Sequence, residues 1–247
     1  MIQLYGMQSP NVRKVGILLE ELGLDYALKH VAVFGGEQFE PEFVALNPAS
    51  KVPVLVDPVK GEGQPVIESG AILIYLAETY GEGDVFLPAS GMARYEVLSW
   101  LMVQMASVGP MFGQYNHFQL LREQAEPYAA ARYRGQSERL YRLLDERLST
   151  RSWLAGDDYS IADIATYPWA LYLEQHGFDP EQHPHLLRWR ETIDARPAVA
   201  RSWQRFDEAF TRISTDTRRA ATAEDLDRFF GRDSHAPHVD FSAITKA

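Results

Sequence analysis

The chain contains no cysteine. That absence excludes a disulfide framework, thiolate metal sites and any nucleophile or redox centre made from the protein's own thiols. Positive charge is also scarce: 24 Lys plus Arg stand against 34 Asp plus Glu, for a formal charge of −10. Such a balance argues against nucleic acid or an anionic membrane as the main partner, although a local cluster of bases could still hold an anion. Long apolar runs are missing too, and residues 71–77 form a stretch far too short to span a bilayer. Residues 1–10 have neither a basic n-region nor an apolar h-region, so no secretory signal is expected and the cytoplasm is the default location. What is present is ordinary for a globular protein. The 247 residues are 46% hydrophobic and 23% charged, enough for one large domain or two smaller ones with a sizeable core.

Strand and helix signals alternate at first. Residues 2–5 read as a short strand; Val12, Val15, Leu19 and Leu22 then recur at helical spacing, and Gly23 supplies a stop. A second strand is predicted over 26–33, followed by the loop G-G-E-Q-F-E-P-E-F, in which Pro41 opens a short helix toward Leu46. The β-rich run 54–56 is separated from Val66-Ile67 by Gly61, Gly63 and Pro65, which predicts a hairpin. Ser69 then stands at the front of a helix reaching Tyr80. The order β-α-β-α-β-β-α implies a mixed four-stranded sheet, since the first crossover is long enough for parallel pairing and the last connection short enough for an antiparallel hairpin.

Residues 81–91, with Gly, Asp, Pro and Ser, have the composition of a linker, and strand signals vanish beyond them. Helices are predicted over 92–107, 127–148, 161–176, 186–195 and 198–213. Ser160 and Asp163 form a capping box, with Tyr159 and Ile164 at staple positions, and Gly109-Pro110 should end or kink the first of these helices. One further helix, 222–230, has Gly231 as its C′ residue, and weak order is expected after Arg232. The expected organisation is therefore an α/β unit at 1–81, an all-helical unit at 92–213 and a C-terminal extension at 214–247.

Several separated pieces follow one another in a telling order. S-P-N opens the first helix, K-V-P-V-L precedes a strand, I-E-S-G-A-I-L-I-Y-L opens the third helix, and S-I-A-D-I-A comes later. In this order the chain resembles cytosolic glutathione transferases from Met1 to about Phe206. S-P-N-V-R-K, the G-G-E-Q-F-E-P-E-F loop and V-G-P-M-F-G-Q-Y-N-H-F look most like the nu-class, bacterial disulfide-reductase-like group. The resemblance implies a thioredoxin-like domain followed by a helical domain, glutathione as co-substrate, no metal and a homodimer. It further implies a small disulfide or electrophilic substrate.

Glutathione is a tripeptide with a central thiol and a carboxylate at each end. If Val52-Pro53 is cis, as in the family, the turn offers the N–H and C=O of Val52 to an extended peptide; a trans proline at a strand entrance is the plainer reading. At the start of the third helix, Ser69 and free N–H groups suit a carboxylate while Glu68 pairs an α-ammonium, although Ser69 would also serve as a simple cap. By resemblance Gln38 and Arg132 reach glutathione as well.

A thiol of pKa about 8.5 is mostly protonated at neutral pH, and lowering it by about two units needs roughly 2.7 kcal/mol of preferential anion stabilisation. Charge-assisted hydrogen bonds at a positive helix end are of that size. The resemblance favours Asn11 as the main contact, with Ser9 standing where the family often has threonine. Tyr5 is a rival that precedes the turn and should face the core. Arg13 and Lys14, unusual in the first turn of a helix, are expected on a solvated face, adding long-range positive potential rather than serving as ligands.

Trp100, Met102, Met105, Met111, Phe112, Tyr115 and Phe118 form a Met- and aromatic-rich tract that reads as core or subunit interface and, by resemblance, borders the site. His176, His183 and His185 read as loop residues before a helix rather than metal ligands. The leading function is therefore attack of bound glutathione thiolate on a disulfide. Conjugation, peroxidase or ether-cleaving chemistry is the alternative, and a non-catalytic binding module of the same fold is another.

Overall fold

The computed structural model describes residues 1–121, 127–232 and 239–246. Strand β1 (Ile2–Gly6), helix α1 (Pro10–Glu21) and strand β2 (Tyr26–His30) lead through two 3₁₀ turns to the short helix α2 (Pro41–Val44). Strands β3 (Val54–Val56) and β4 (Pro65–Ile67) and helix α3 (Ser69–Tyr80) follow. The sheet order is β2-β1-β3-β4, with β1 parallel to β2 and antiparallel to β3, and β3 antiparallel to β4. Leu4 lies at the centre of this register, opposite both Leu28 and Leu55. The sheet is mixed and four-stranded, and the unit is thioredoxin-like.

Alternation along β1 decides what each face covers. Ile2, Leu4 and Gly6 are buried, Ile2 and Leu4 in one core with Val15, Leu18 and Ile72, while Gln3 and Tyr5 point the other way. That second face is closed by Val31, Val33, Phe43 and Val54, with Tyr5 and Ile67 packed against them. Helix α1 is buried without interruption from Val12 to Leu19 because it lies between the sheet unit and the helices beyond. A Cβ at Gly16 would sit 2.3 Å from the Phe206 ring, so glycine lets α1 press directly on a later helix.

The rest is helical: α4 (Gly91–Val103), α5 (Gly109–Leu120), α6 (Pro127–Ser149), α7 (Ile161–Ala170), α8 (Pro184–Asp194), α9 (Pro197–Phe206), α10 (Arg212–Ala220), α11 (Ala223–Phe230) and α12 (Ser242–Thr245). None of the described helices is long and apolar enough to cross a membrane. Gly109-Pro110 does not end the rod that begins at α4. A π-helical turn over Gln104–Val108 joins α4 to α5, and Pro110 falls in the first turn of α5, where a missing N–H costs least. The helix expected over 161–176 stops at Ala170, with Pro168 inside it and Gly177 at φ 73° closing the turns that follow.

The capping box forms as expected. Ser160 and Asp163 bond reciprocally, and the buried Asp163 carboxylate also accepts from the Leu154 N–H at 2.9 Å and the Trp189 indole at 2.8 Å. Burial raises Asp163 to about 6, against the pull of these donors. In the tail, α11 has Thr222 and Asp225 as a second capping box and Gly231 at φ 67°. The weak order expected beyond Arg232 falls in part on residues 233–238, which lie outside the described part; residues 239–246 are described. There Phe241 and Ile244 are buried against Leu121 and Leu226.

Candidate active site

The turn after β1 delivers the chain into α1 with Ser9 extended at φ −152°, ψ 153°. The Ser9 hydroxyl accepts from the Val12 N–H at 3.4 Å, and Pro10 occupies the first turn, both ordinary ways to start a helix. Asn11 follows, half-buried, and its Oδ1 accepts from the Trp169 indole N–H at 3.1 Å. An indole N–H can only donate, so this bond assigns the amide: the carbonyl oxygen is turned to Trp169 and the NH₂ group is left for another acceptor.

That amide lines a cleft of about 540 Å³. Val52, Pro53, Glu68 and Ser69 form further parts of its wall, and Gln104, Met105 and Trp169 stand on the helical side. The Val52–Pro53 peptide is cis. Asn47 holds the approach to it, donating to the Lys51 carbonyl at 2.7 Å and accepting from the Ala49 N–H at 2.9 Å. Glu68 sits at φ 65°, ψ 114°, a region a residue with a side chain enters only where its surroundings insist. Ser69 opens α3 next to it and is buried. A Cβ at Gly70 would be 3.0 Å from the Met105 side chain, so this glycine admits Met105 against the first turn of α3.

Five of the residues singled out in the sequence thus share one cleft: Asn11, Val52, Pro53, Glu68 and Ser69. The other expected glutathione and thiolate contacts do not join them. Ser9 faces a smaller cleft of about 280 Å³ with Arg13 and Trp203. Gln38 is buried in the turn Glu37–Phe39, with its Oε1 unpartnered. Arg132 is exposed on α6 and is not part of the cleft wall. Tyr5 packs on the far face of the sheet, its hydroxyl donating to Gln3 at 2.8 Å.

The solvated face expected for Arg13 and Lys14 does not exist; they are 4% and 0% exposed. Arg13 stacks on Trp203, 3.4 Å from the ring centre, with Asp207 at 3.5 Å. Burial lowers it to about 10 despite Asp207. Lys14 donates to Gln104 Oε1 at 2.8 Å and lies 3.3 Å from Met105 Sδ, directly behind the cleft wall. Desolvation lowers Lys14 to about 7, with the Glu68 carboxylate opposing. The signal was available in the sequence. One turn on from the two bases stand Ile17 and Leu18, so their face continues as apolar.

Trp169 and Gln104 were missed for a different reason: nothing in the sequence pairs them with residues 158 and 90 positions away. The Met- and aromatic-rich tract divides, with Phe112 and Tyr115 in the core, Met105 on the cleft and Met102 48% exposed. His176 and His183 lie in the turns before α8, both buried, and His185 falls in the first turn of that helix. Among the described residues no group of three His, Asp or Glu side chains is placed to hold a metal ion.

Comparison with known proteins bears on this arrangement. Residues 1–78 match the family model of the glutathione S-transferase N-terminal domain, and residues 98–197 match that of the C-terminal domain. The chain belongs to the glutathione S-transferase family. It is 42% identical to the disulfide-bond oxidoreductase YfcG of Escherichia coli, over 82% of this chain and 94% of that one. With YghU, a disulfide-bond oxidoreductase of the same organism, identity is 35% over 81% and 73% of the two chains. A crystal structure of a glutathione transferase from Pseudomonas putida, with one glutathione disulfide bound per subunit, matches with a TM-score of 0.74 and 38% identity, covering 81% of this chain and 90% of that one. In this transferase, then, the cleft between the sheet and the helices combines an oriented amide and a helix start bearing an acid and a hydroxyl, backed by a fully buried lysine, with no thiol of its own.

Proposed function

We propose that this transferase is a glutathione-dependent disulfide reductase of the nu-class type. The observation that carries the reading is the Trp169–Asn11 bond, which engages the Asn11 carbonyl oxygen and leaves its NH₂ group to donate, at a residue lining a cleft where the protein supplies no sulfur nucleophile. A donor at that point favours the ionised over the neutral form of a bound thiol. Glu68 would pair the α-ammonium of glutathione, and Ser69 with the free N–H groups of α3 its neighbouring carboxylate. The Val52 backbone would hold the cysteinyl residue. Ser9 fixes the start of α1 and so the place of Asn11. Gln38 and Arg132 are carried as peripheral glutathione contacts by the family resemblance alone.

The bound glutathione thiolate attacks one sulfur of a small disulfide, forming a mixed disulfide and releasing the other sulfur as a thiolate. A second glutathione thiolate attacks the glutathione sulfur of that mixed disulfide, yielding glutathione disulfide and the second thiolate product, and the released thiolates take up the protons the two glutathiones lost. The protein binds, orients and ionises; it forms no covalent bond.

The apolar side chains Met105 and Pro110 on the helical wall also suit attack on a carbon electrophile, so conjugation is the second reading. Turnover of hydroxyethyl disulfide against chlorodinitrobenzene separates the two, and brisk conjugation with negligible disulfide reduction would sink the first. Asn11→Ala should lower turnover far more than glutathione affinity; an unchanged rate removes Asn11 from the mechanism.

Units at 1–81, 92–213 and 214–247 and a cytoplasmic homodimer complete the proposal. Met92, Tyr95 and Met102 leave an apolar outer face on α4, which is where a second copy would sit. Neither nucleic acid nor membrane is a partner in this reading.

A further inference from the structure

The family match ends at residue 197, yet one wall of the cleft comes from far beyond it. Helix α10 turns the chain back to the sheet, where the Ser214 hydroxyl accepts from the Gln8 N–H at 3.4 Å and lies 3.3 Å from His30 Nε2. Helix α11 then brings Phe229 into the wall of the cleft. On the sheet side, Phe229 packs 4.9 Å from Phe34, and the Arg228 guanidinium lies 4.4 Å above the Phe39 ring. On the helical side, Phe230 meets His117 of α5 at 4.5 Å and stacks on Phe241 at 5.3 Å. Leu226, buried with Leu121, Phe241 and Ile244, anchors the whole strap. Between these two attachments the Phe229 ring forms part of the same wall as Asn11, Val52 and Glu68.

A benzene ring offers nothing to the charged ends of glutathione. It does suit a sulfur and the apolar substituent beside it, and as a wall it restricts size. We infer that the C-terminal strap is the specificity element of this transferase: Phe229 admits small disulfides to Asn11 and bars those seated on the surface of a folded protein. The inference rests on the disulfide-reductase reading for its substrates, but the wall itself can be probed without turnover.

The test uses full-length Phe229→Ala and Phe229→Trp, each checked for an unchanged far-ultraviolet circular dichroism spectrum. The ratio of kcat/KM for S-glutathionylated serum albumin to that for hydroxyethyl disulfide should rise tenfold or more in Phe229→Ala and fall in Phe229→Trp, with the glutathione KM moving less than threefold. Calorimetry gives the parallel ratio of dissociation constants for S-benzyl- and S-methylglutathione, which should shift at least threefold between the two variants. If the wild type reduces no disulfide, the function proposed above fails and this binding ratio alone decides the wall. A binding ratio that stays within threefold in both variants overturns the inference.

Discussion

Trp169 reaches the proposed chemistry only through Asn11, and that makes it a sharp test. Trp169→Phe keeps an aromatic ring in a pocket where the native residue is 8% exposed, but deletes the N–H that holds Asn11 Oδ1 at 3.1 Å. Freed of that bond, the amide can present either its NH₂ or its carbonyl to the cleft. A hydrogen bond of this kind has a net worth of about 0.5–1.5 kcal/mol, the range of the bias lost. One pKa unit corresponds to about 1.4 kcal/mol, so the thiol of bound glutathione should titrate roughly 0.4–1 unit higher than in the wild type. Absorbance near 240 nm, followed against pH with saturating glutathione, reads this directly. The pH profile of kcat/KM should move by the same amount, while affinity for glutathione disulfide, which carries no thiolate, stays within twofold. If the bound thiol titrates at the same pH in both proteins, Trp169 only packs, and the orienting role assigned to its indole is wrong.

Two other buried groups make stability depend on pH. Lys14 is depressed to about 7 from 10.5, so between those values the unfolded chain binds a proton that the native protein does not, and native stability rises with pH; below 7 the full cost of burying the charge is present. Lys14→Met should therefore raise the thermal midpoint at pH 6 by an amount that shrinks as pH approaches 10, the underlying cost being on the order of 4–5 kcal/mol. A gain independent of pH would mean that folding does not shift the Lys14 pKa. Burial lowers His176 to about 4, in keeping with an Nε2–H that donates to Asn116 at 2.9 Å and an Nδ1 that accepts from the Tyr141 hydroxyl at 2.8 Å. Stability from this neutral ring is complete above about 6.5 and is lost as pH falls to 4, by up to about 3 kcal/mol. Urea unfolding at pH 7 and pH 4.5 should show that loss in the wild type and a smaller one in His176→Gln; equal losses would assign the acid sensitivity elsewhere.

The elements that a sequence displays best are those decided within a few residues. The Ser160 and Thr222 capping boxes, the Gly231 stop, the β3–β4 hairpin and the serine at the head of α3 all lie where local chemistry puts them. Five residues of the cleft follow from the family resemblance instead, since each short signature taken alone has a plainer reading, such as a helix cap or a trans proline. The misses have the opposite character. Whether Arg13 and Lys14 meet water depends on which helices lie over α1, and the orientation of Asn11 depends on an indole 158 positions away. Gly109-Pro110 read as an end or a kink; the helix does not end there but passes through a widened π turn just before it. The wall contributed by Phe229 had no signature at all, since it requires α10 and α11 to double back on the sheet.

The cleft holds its donors rigidly and leaves the sulfur to a visitor. In an enzyme whose nucleophile is a cysteine, oxidation to a sulfinic acid is a permanent injury to the catalyst. Here the same accident would befall a passenger, which departs with the damage and leaves an intact seat for the next. Harsh oxidants should wear out this protein's supply of tripeptide long before they wear out the protein.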